Sequence, residues 1–249
     1  MSRVFLVGAG PGDPELLTLK GARILGRAEV VLHDSLVDPR IIALADPGAK
    51  IIDVGKRCGR HSATQETICQ LLVAHARAGL RVVRLKGGDP MIFGRASEEM
   101  DALRDAGIDF EIIPGITAAS AAAAAMRRSL TQRNTARSLH ILTGHGAEGG
   151  LPGHDFIALT KSGGTLAIYM GGETLPGLAA HFIEAGMEPG MPAILIENAS
   201  LPDERYIAAT IATLPGRHAA RCASGPVLIL VGEALRAEAE LRSLEAACG

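Results

Sequence analysis

Three short apolar runs in this chain each break into a glycine- and proline-rich loop that opens toward a helix. Val4-Phe5-Leu6-Val7 runs into Gly8-Ala9-Gly10-Pro11-Gly12-Asp13-Pro14. Arg81-Val82-Val83-Arg84-Leu85 runs into Lys86-Gly87-Gly88-Asp89-Pro90, and Phe110-Glu111-Ile112-Ile113 into Pro114-Gly115-Ile116-Thr117. Glycine lacks a Cβ, so such loops let main chain approach main chain or ligand closely. Strands that repeatedly hand over to helices through such loops imply the α/β class. In open α/β sheets the loops at the carboxyl ends of the strands build the ligand site.

The remaining pattern agrees with that class. Residues 15–26 read as one helix, 29–32 as a strand, and Asp38-Pro39 as an N-cap followed by proline at the first helical position. Residues 51–54 read as a strand. Ser62 and Gln65 fit a capping box for a helix ending near Gly79, and Ser97 opens another that closes at Gly107. The alanine-rich stretch 117–126 predicts a buried helix. Strands are expected at 139–142, 166–170, 193–197 and 227–231, and helices at 175–185 and 233–246. Residues 205–214 predict an antiparallel strand, then a turn at Pro215-Gly216. A hinge near Pro114-Gly115 would divide two α/β domains, 1–114 and 115–249.

Composition narrows the function classes. A formal net charge of -2 provides no basic field for nucleic acid, and five Phe, two Tyr and no Trp leave little to stack on bases. The four cysteines, Cys58, Cys69, Cys222 and Cys248, form no CxxC pair, so neither a disulfide framework nor a metal site is expected. The apolar run at 4–7 is too short for a signal peptide, and no run reaches membrane-spanning length. These features predict a cytoplasmic protein.

Gly8-Ala9-Gly10-Pro11-Gly12 is not spaced as GxGxxG, and its proline stands where the loop would wrap a pyrophosphate, which argues against a nicotinamide site. Asp34 and Lys56 each follow a strand, where acid–base chemistry is expected, although both also fit solvated surface charges. Asp89 fits either a ligand contact or a turn cap. Met170 fits either core packing or a soft apolar ligand surface.

Taken together, Val7–Lys20 (VGAGPGDPELLTLK), Val54–Ser62 (VGKRCGRHS), Val83–Arg95 (VRLKGGDPMIFGR) and Ile113–Ala119 (IPGITAA) resemble the ordered motifs of the tetrapyrrole methylases. Thr143-Gly144-His145, Tyr169-Met170-Gly171 and Val231-Gly232-Glu233 extend the resemblance over essentially the whole chain. Within the family, Gly55-Lys56-Arg57 and Gly87-Gly88-Asp89-Pro90 are most similar to members that act on uroporphyrinogen III.

The resemblance implies two α/β domains with S-adenosyl-L-methionine bound in the cleft between them. It implies methylation of uroporphyrinogen III at C2 and C7, giving precorrin-2 and S-adenosyl-L-homocysteine, in cobalamin or sirohaem synthesis. Carried over by position, Pro11, Gly87, Gly88, Asp89, Ile92, Thr117, Ala118, Met170 and Ala199 would contact the cofactor. Asp34 would be the base and Lys56 the acid. Arg57, Arg60, Arg95, Arg127, Arg128 and Arg133 are candidates to meet the substrate carboxylates. The family is dimeric, so a homodimer is expected. Three positions depart from the family pattern: His33 replaces the usual tyrosine, residues 126–134 differ from the usual GIPLTHRD, and Ala199 replaces glycine. The alternatives are a later precorrin C-methyltransferase and a non-catalytic S-adenosylmethionine-binding protein, the latter binding without turnover.

Overall fold

The computed structural model describes residues 3–55, 63–146, 149–220 and 225–237. The chain divides into two compact units, Met1–Ala118 and Ala119–Gly249.

The first unit alternates strand and helix throughout. Its elements are β1 (Val4–Gly8), α1 (Leu19–Leu25), β2 (Val30–His33), α2 (Pro39–Ile42), β3 (Lys50–Asp53), α3 (Gln65–Arg77), β4 (Val82–Lys86), α4 (Ala96–Asp105) and β5 (Phe110–Ile113). The five strands form one sheet in the order β3-β2-β4-β1-β5, with every pairing parallel. Strand alternation sends Val82 to one face, with Leu72 of α3 and Leu103 of α4, and sends Val83 and Leu85 to the other, with Leu25 of α1 and Ile41 of α2. Connections leaving β1 and β2, through α1 and α2, move one way across the sheet, and those leaving β3 and β4, through α3 and α4, move the other. Because such crossovers are right-handed, the two helix pairs fall on opposite faces. The reversal makes the β1/β4 boundary the topological switch point, where open α/β sheets bind ligands.

The second unit holds α5 (Ala118–Ala125, beginning at the last residue of the first unit), β6 (Leu139–Thr143), α6 (Phe156–Ser162), β7 (Thr165–Tyr169), α7 (Leu175–Glu184), β8 (Pro192–Glu197), β9 (Arg205–Thr210), α8 (Leu214–Ala219) and β10 (Val227–Val231). Its sheet runs β6-β7-β10-β8-β9. Only β6 and β7 are parallel neighbours; β10 runs against both β7 and β8, and β9 against β8. On α7, Leu175, Leu178, Ala179 and Phe182 recur at helical spacing and are buried. Phe182 meets Phe156 of α6 edge-to-face, ring centroids 4.9 Å apart. Both sheets with their covering helices make the chain α/β, as its pattern predicts. Among the described residues no helix is long and apolar enough to cross a membrane.

Several local expectations need correction. The single helix expected over 15–26 is a 3-10 turn at Pro14–Leu16 followed by α1, because the Thr18 hydroxyl accepts a hydrogen bond from the Gly21 amide and starts a new helix. Helix α3 is capped by Thr64, whose hydroxyl accepts from the Thr67 amide at 3.1 Å, while Ser62 lies outside the described residues. Pro215 and Gly216 sit inside α8 rather than in a turn, since proline suits the first turn of a helix. Helix α5 is not covered on every side: Ser120, Ala124 and Ala125 are exposed. The stretch predicted as a helix over 233–246 begins with a 3-10 turn at Glu233–Leu235 and passes outside the described residues after 237. Helix α6 was not predicted from the sequence.

Candidate active site

At the carboxyl edge of the first sheet, loops from all five strands knit together through main chain. A Cβ on Gly8, at the end of β1, would stand 2.5 Å from the Gly115 nitrogen and 2.7 Å from the Gly88 carbonyl oxygen. Gly10 and Gly88 exchange hydrogen bonds: the Gly88 amide donates to Gly10 at 2.7 Å and the Gly10 amide to Gly88 at 3.1 Å. Asp89 links β4 to β5, its carboxylate accepting from the Gly115 amide at 2.9 Å and the Met91 amide at 2.8 Å. Asp34 links β2 to β4, accepting from the Leu36 amide at 3.1 Å and the Gly87 amide at 3.2 Å. On the outer side, a Cβ on Gly55 would lie 2.2 Å from the Ser35 nitrogen, so the loops after β3 and β2 also touch.

This stitching uses up amides of the Gly87–Ile92 loop. The Gly87, Gly88, Met91 and Ile92 amides all donate within the unit, so they are engaged rather than presented to a ligand. Asp89 acts as a loop tie and turn cap. What the loop offers is shape. Gly88 has φ +67, and no atom lies within 4 Å of where its Cβ would be, which leaves room for close approach to the backbone. Beyond it, Phe93 and Arg95 both adopt φ 51, a left-handed conformation uncommon outside glycine and frequent at functional sites.

The second unit repeats this pattern at its own sheet edge. The carboxyl ends of β6, β7 and β8 and the start of β10 share that edge, which follows from their pairing directions. Met170, directly after β7, has φ 56 and is 51% exposed. Asn198 and Ser200, flanking the buried Ala199 after β8, have φ 55 and 66. The Gly144 amide donates to the Tyr169 carbonyl at 2.6 Å, and the Tyr169 hydroxyl accepts from the Ala119 amide of α5 at 3.0 Å. Left-handed non-glycine residues therefore cluster at strand ends in both units.

Beneath the Asp34–Gly87 loop lies a charge cluster that the sequence reading did not single out. Glu99 on α4 is fully buried, and one of its oxygens accepts from Arg84 Nε at 3.0 Å and Lys86 Nζ at 2.9 Å. Its other oxygen has no hydrogen-bond partner. Arg84 also donates to the Leu85 and Leu32 carbonyls at 3.0 and 3.4 Å and brings Nη2 to 4.0 Å from Asp34 Oδ2. Burial and the neighbouring Arg84 charge pull the Lys86 ammonium below the usual lysine range, against the attraction of Glu99. The available signal was two cations at alternate positions of an otherwise apolar strand, Arg84 and Lys86, on the face that Val82 shares with α4.

Other expected positions are placed as follows. His33 is buried, with its ring Nδ1 3.0 Å from the Asp34 carbonyl oxygen. Arg95 forks onto Glu98, both contacts 2.8 Å. Ile92 and Pro11 are half-buried in their loops, and Thr117 and Ala118 precede and open α5. Lys56, Arg57 and Arg60 lie outside the described residues.

The family model of the tetrapyrrole (corrin/porphyrin) methylases matches residues 3–215. The chain belongs to the tetrapyrrole methylases. Among relatives, this tetrapyrrole methylase is 43% identical to a siroheme synthase of Gluconacetobacter diazotrophicus over 94% of its own length and 50% of the relative's. It thus spans about half the length of the curated siroheme synthases it matches. It is 44% identical to the chloroplastic S-adenosyl-L-methionine-dependent uroporphyrinogen III methyltransferase of Arabidopsis thaliana, over 92% of this chain and 63% of that one. The fold superposes on a uroporphyrin-III C-methyl transferase from Thermus thermophilus, solved in complex with S-adenyl homocysteine. The TM-score is 0.82 and the identity 40%, covering 95% of this chain and 100% of that chain.

Proposed function

We propose that this tetrapyrrole methylase transfers methyl groups from S-adenosyl-L-methionine to C2 and C7 of uroporphyrinogen III, yielding precorrin-2 and S-adenosyl-L-homocysteine. The observation that carries this reading is the 40% identity, over 100% of that chain, to a uroporphyrin-III C-methyl transferase complexed with S-adenyl homocysteine. The residues fit such a ligand. The open face over Gly88 and the half-exposed thioether of Met170 suit close backbone approach and a soft apolar contact.

On this reading Pro11, Gly87, Gly88, Asp89, Ile92, Thr117, Ala118, Met170 and Ala199 hold the cofactor. Asp89 does so indirectly, by fixing the β4 loop to Gly115. The cofactor supplies a methyl group on a sulfonium, which leaves readily. Asp34 takes up the proton released as the substrate double bonds rearrange. Its carboxylate is held by two backbone amides and stays one-quarter exposed, so it is fixed yet reachable. Lys56 serves as the acid, and Arg127, Arg128 and Arg133 remain candidates for substrate carboxylates.

The same reading makes the protein a homodimer working in the cytoplasm on a water-soluble polycarboxylate. Support for the dimer comes from β6, a sheet-edge strand whose Leu139 and Ile141 are each 37% exposed. Incubating the purified chain with methyl-labelled S-adenosylmethionine and uroporphyrinogen III, then mapping the product by NMR, tests the activity. Label at C2 and C7 is expected. Binding of the cofactor without any transfer would defeat the reading.

A further inference from the structure

We infer that Arg84 is a positioning residue for Asp34, and that buried Glu99 sets how much of the Arg84 charge reaches it. The inference rests on the proposed role of Asp34 as base. Four ionisable groups lie in sequence from the core to the loop: Lys86, Glu99, Arg84 and Asp34. Lys86, Glu99 and Arg84 are almost fully enclosed, with side-chain exposures of 4%, 0% and 5%, while Asp34 is at 25%. The three enclosed groups carry two positive charges and one negative. A buried excess charge is costly unless matched. Asp34 is the anion that matches it, with Oδ2 4.0 Å from Arg84 Nη2.

The spacing matters. At 4.0 Å the guanidinium faces Asp34 as a charge but is too distant to donate a hydrogen bond into the carboxylate. A forked pair at hydrogen-bond distance would occupy the oxygens that must receive a proton. Arg84 is kept from closing that gap by its other bonds. Its Nε is held by Glu99 and its Nη1 by the Leu32 and Leu85 carbonyls. Asp34 is likewise kept from moving inward by the Leu36 and Gly87 amides. Lys86 holds the same Glu99 oxygen from the far side, under Gly94, where a Cβ would meet the Lys86 chain at 3.1 Å. Among the described residues, the charged and titratable groups packed around Asp34 are therefore Arg84 and Lys86 from β4, Glu99 from α4 and the neighbouring His33 of β2.

Opposite changes in the cluster should move Asp34 in opposite directions. Arg84→Met leaves Lys86 and Glu99 paired and removes the cation facing Asp34. Among the described residues of this cluster, Glu99→Gln leaves Asp34 as the one anion facing two cations. The test uses full-length protein labelled with ¹³C at aspartate carboxyls, with the Asp34 resonance assigned through Asp34→Asn. The Asp34 titration midpoint is expected to rise in Arg84→Met and to fall in Glu99→Gln. In parallel assays with S-adenosylmethionine and uroporphyrinogen III, Arg84→Met should lower kcat on the order of tenfold. KM for the cofactor should stay unchanged, and the acid limb of the pH profile should move to higher pH. Arg84→Lys, which keeps the charge, should recover part of both effects. Midpoints unchanged in whichever of the two variants folds would overturn the inference. Wild-type protein that methylates nothing would instead overturn the proposed function, while the titrations would still judge the coupling of Arg84 to Asp34.

Discussion

Gly8 and Gly115 meet backbone to backbone: a Cβ on Gly8 would stand 2.5 Å from the Gly115 nitrogen, and one on Gly115 would stand 2.9 Å from the Gly8 Cα. The ends of β1 and β5 can lie this close only because neither residue has a side chain. Gly8→Ala is therefore expected to destabilise the first unit by about 1–3 kcal/mol through overpacking, since the colliding atoms are main chain and cannot rotate away. Urea unfolding of the purified variant measures this. A loss below about 0.5 kcal/mol, the range of neutral surface changes, would show that the two loops part easily.

Gly88 presents the contrasting case. It has φ +67 with open space above it, so Gly88→Ala meets no neighbour and should cost about 1–2 kcal/mol from left-handed strain alone. The functional effect should be larger than the structural one. A side chain here fills the face reserved for close approach, and Gly88→Val should abolish binding of S-adenosylmethionine. Calorimetry on the folded valine variant decides it, and retained affinity would move the cofactor away from this loop.

Asp34→Asn should lower kcat by about 10²–10⁴ while leaving cofactor affinity near wild type, because the amide cannot act as a carboxylate base. The geometry adds a second expectation. Asp34 accepts from two backbone amides, Leu36 and Gly87, and asparagine can accept through one oxygen only. One of those amides loses its partner, so hydrogen exchange at Leu36 or Gly87 should quicken. Normal turnover with faster exchange would give Asp34 a purely structural role.

The strand–loop–helix order, the Asp38 cap and the loops of the candidate site were readable because each rests on local chemistry. Asp38 does accept from the Arg40 amide at 2.8 Å, with Pro39 opening α2. What escaped depends on partners distant in sequence. Glu99 shares a helical turn with the exposed Glu98, and nothing local separates the surface residue from the buried one. The separation comes from Arg84 and Lys86 on a strand that lies beside α4 only after folding. The engagement of the Gly87 and Gly88 amides was hidden for the same reason, since their acceptors are Asp34 and Gly10. Helix α6 is only seven residues long, too short for a periodic pattern, and is fixed by the contact of Phe156 with Phe182.

Met170 sits at φ 56 with its side chain half in solvent, so its conformation is a cost that packing does not explain. Met170→Gly should relieve about 1–2 kcal/mol of left-handed strain and lose about 0.5–1 kcal/mol to chain entropy, leaving a small net gain in stability. Affinity for S-adenosylhomocysteine should fall by roughly tenfold as the thioether surface is lost. Thermal unfolding with and without S-adenosylhomocysteine separates the two effects. Unchanged affinity would assign the Met170 conformation to something other than cofactor contact.

Glu99→Gln should be the most damaging single change to stability in the first unit. It leaves Arg84 and Lys86 enclosed beside a neutral amide, and removing one partner of a buried ionic cluster costs about 3–5 kcal/mol. Lys86→Met should cost less, because Arg84 and Glu99 still neutralise one another. The pH dependence gives the sign. Burial and the Arg84 charge hold the Lys86 ammonium below the usual lysine range, and losing Glu99 removes an attraction that opposes this. In the folded variant Lys86 therefore sheds its proton at a lower pH than in the unfolded chain. Between those two points the unfolded chain binds more protons, so stability rises with pH across the window. The deficit of Glu99→Gln relative to wild type should be greatest near neutrality and shrink toward the ordinary lysine range. Urea midpoints of both proteins at neutral and alkaline pH test this, and a deficit that stays constant or widens would mean that Lys86 is not the cation stranded by the change.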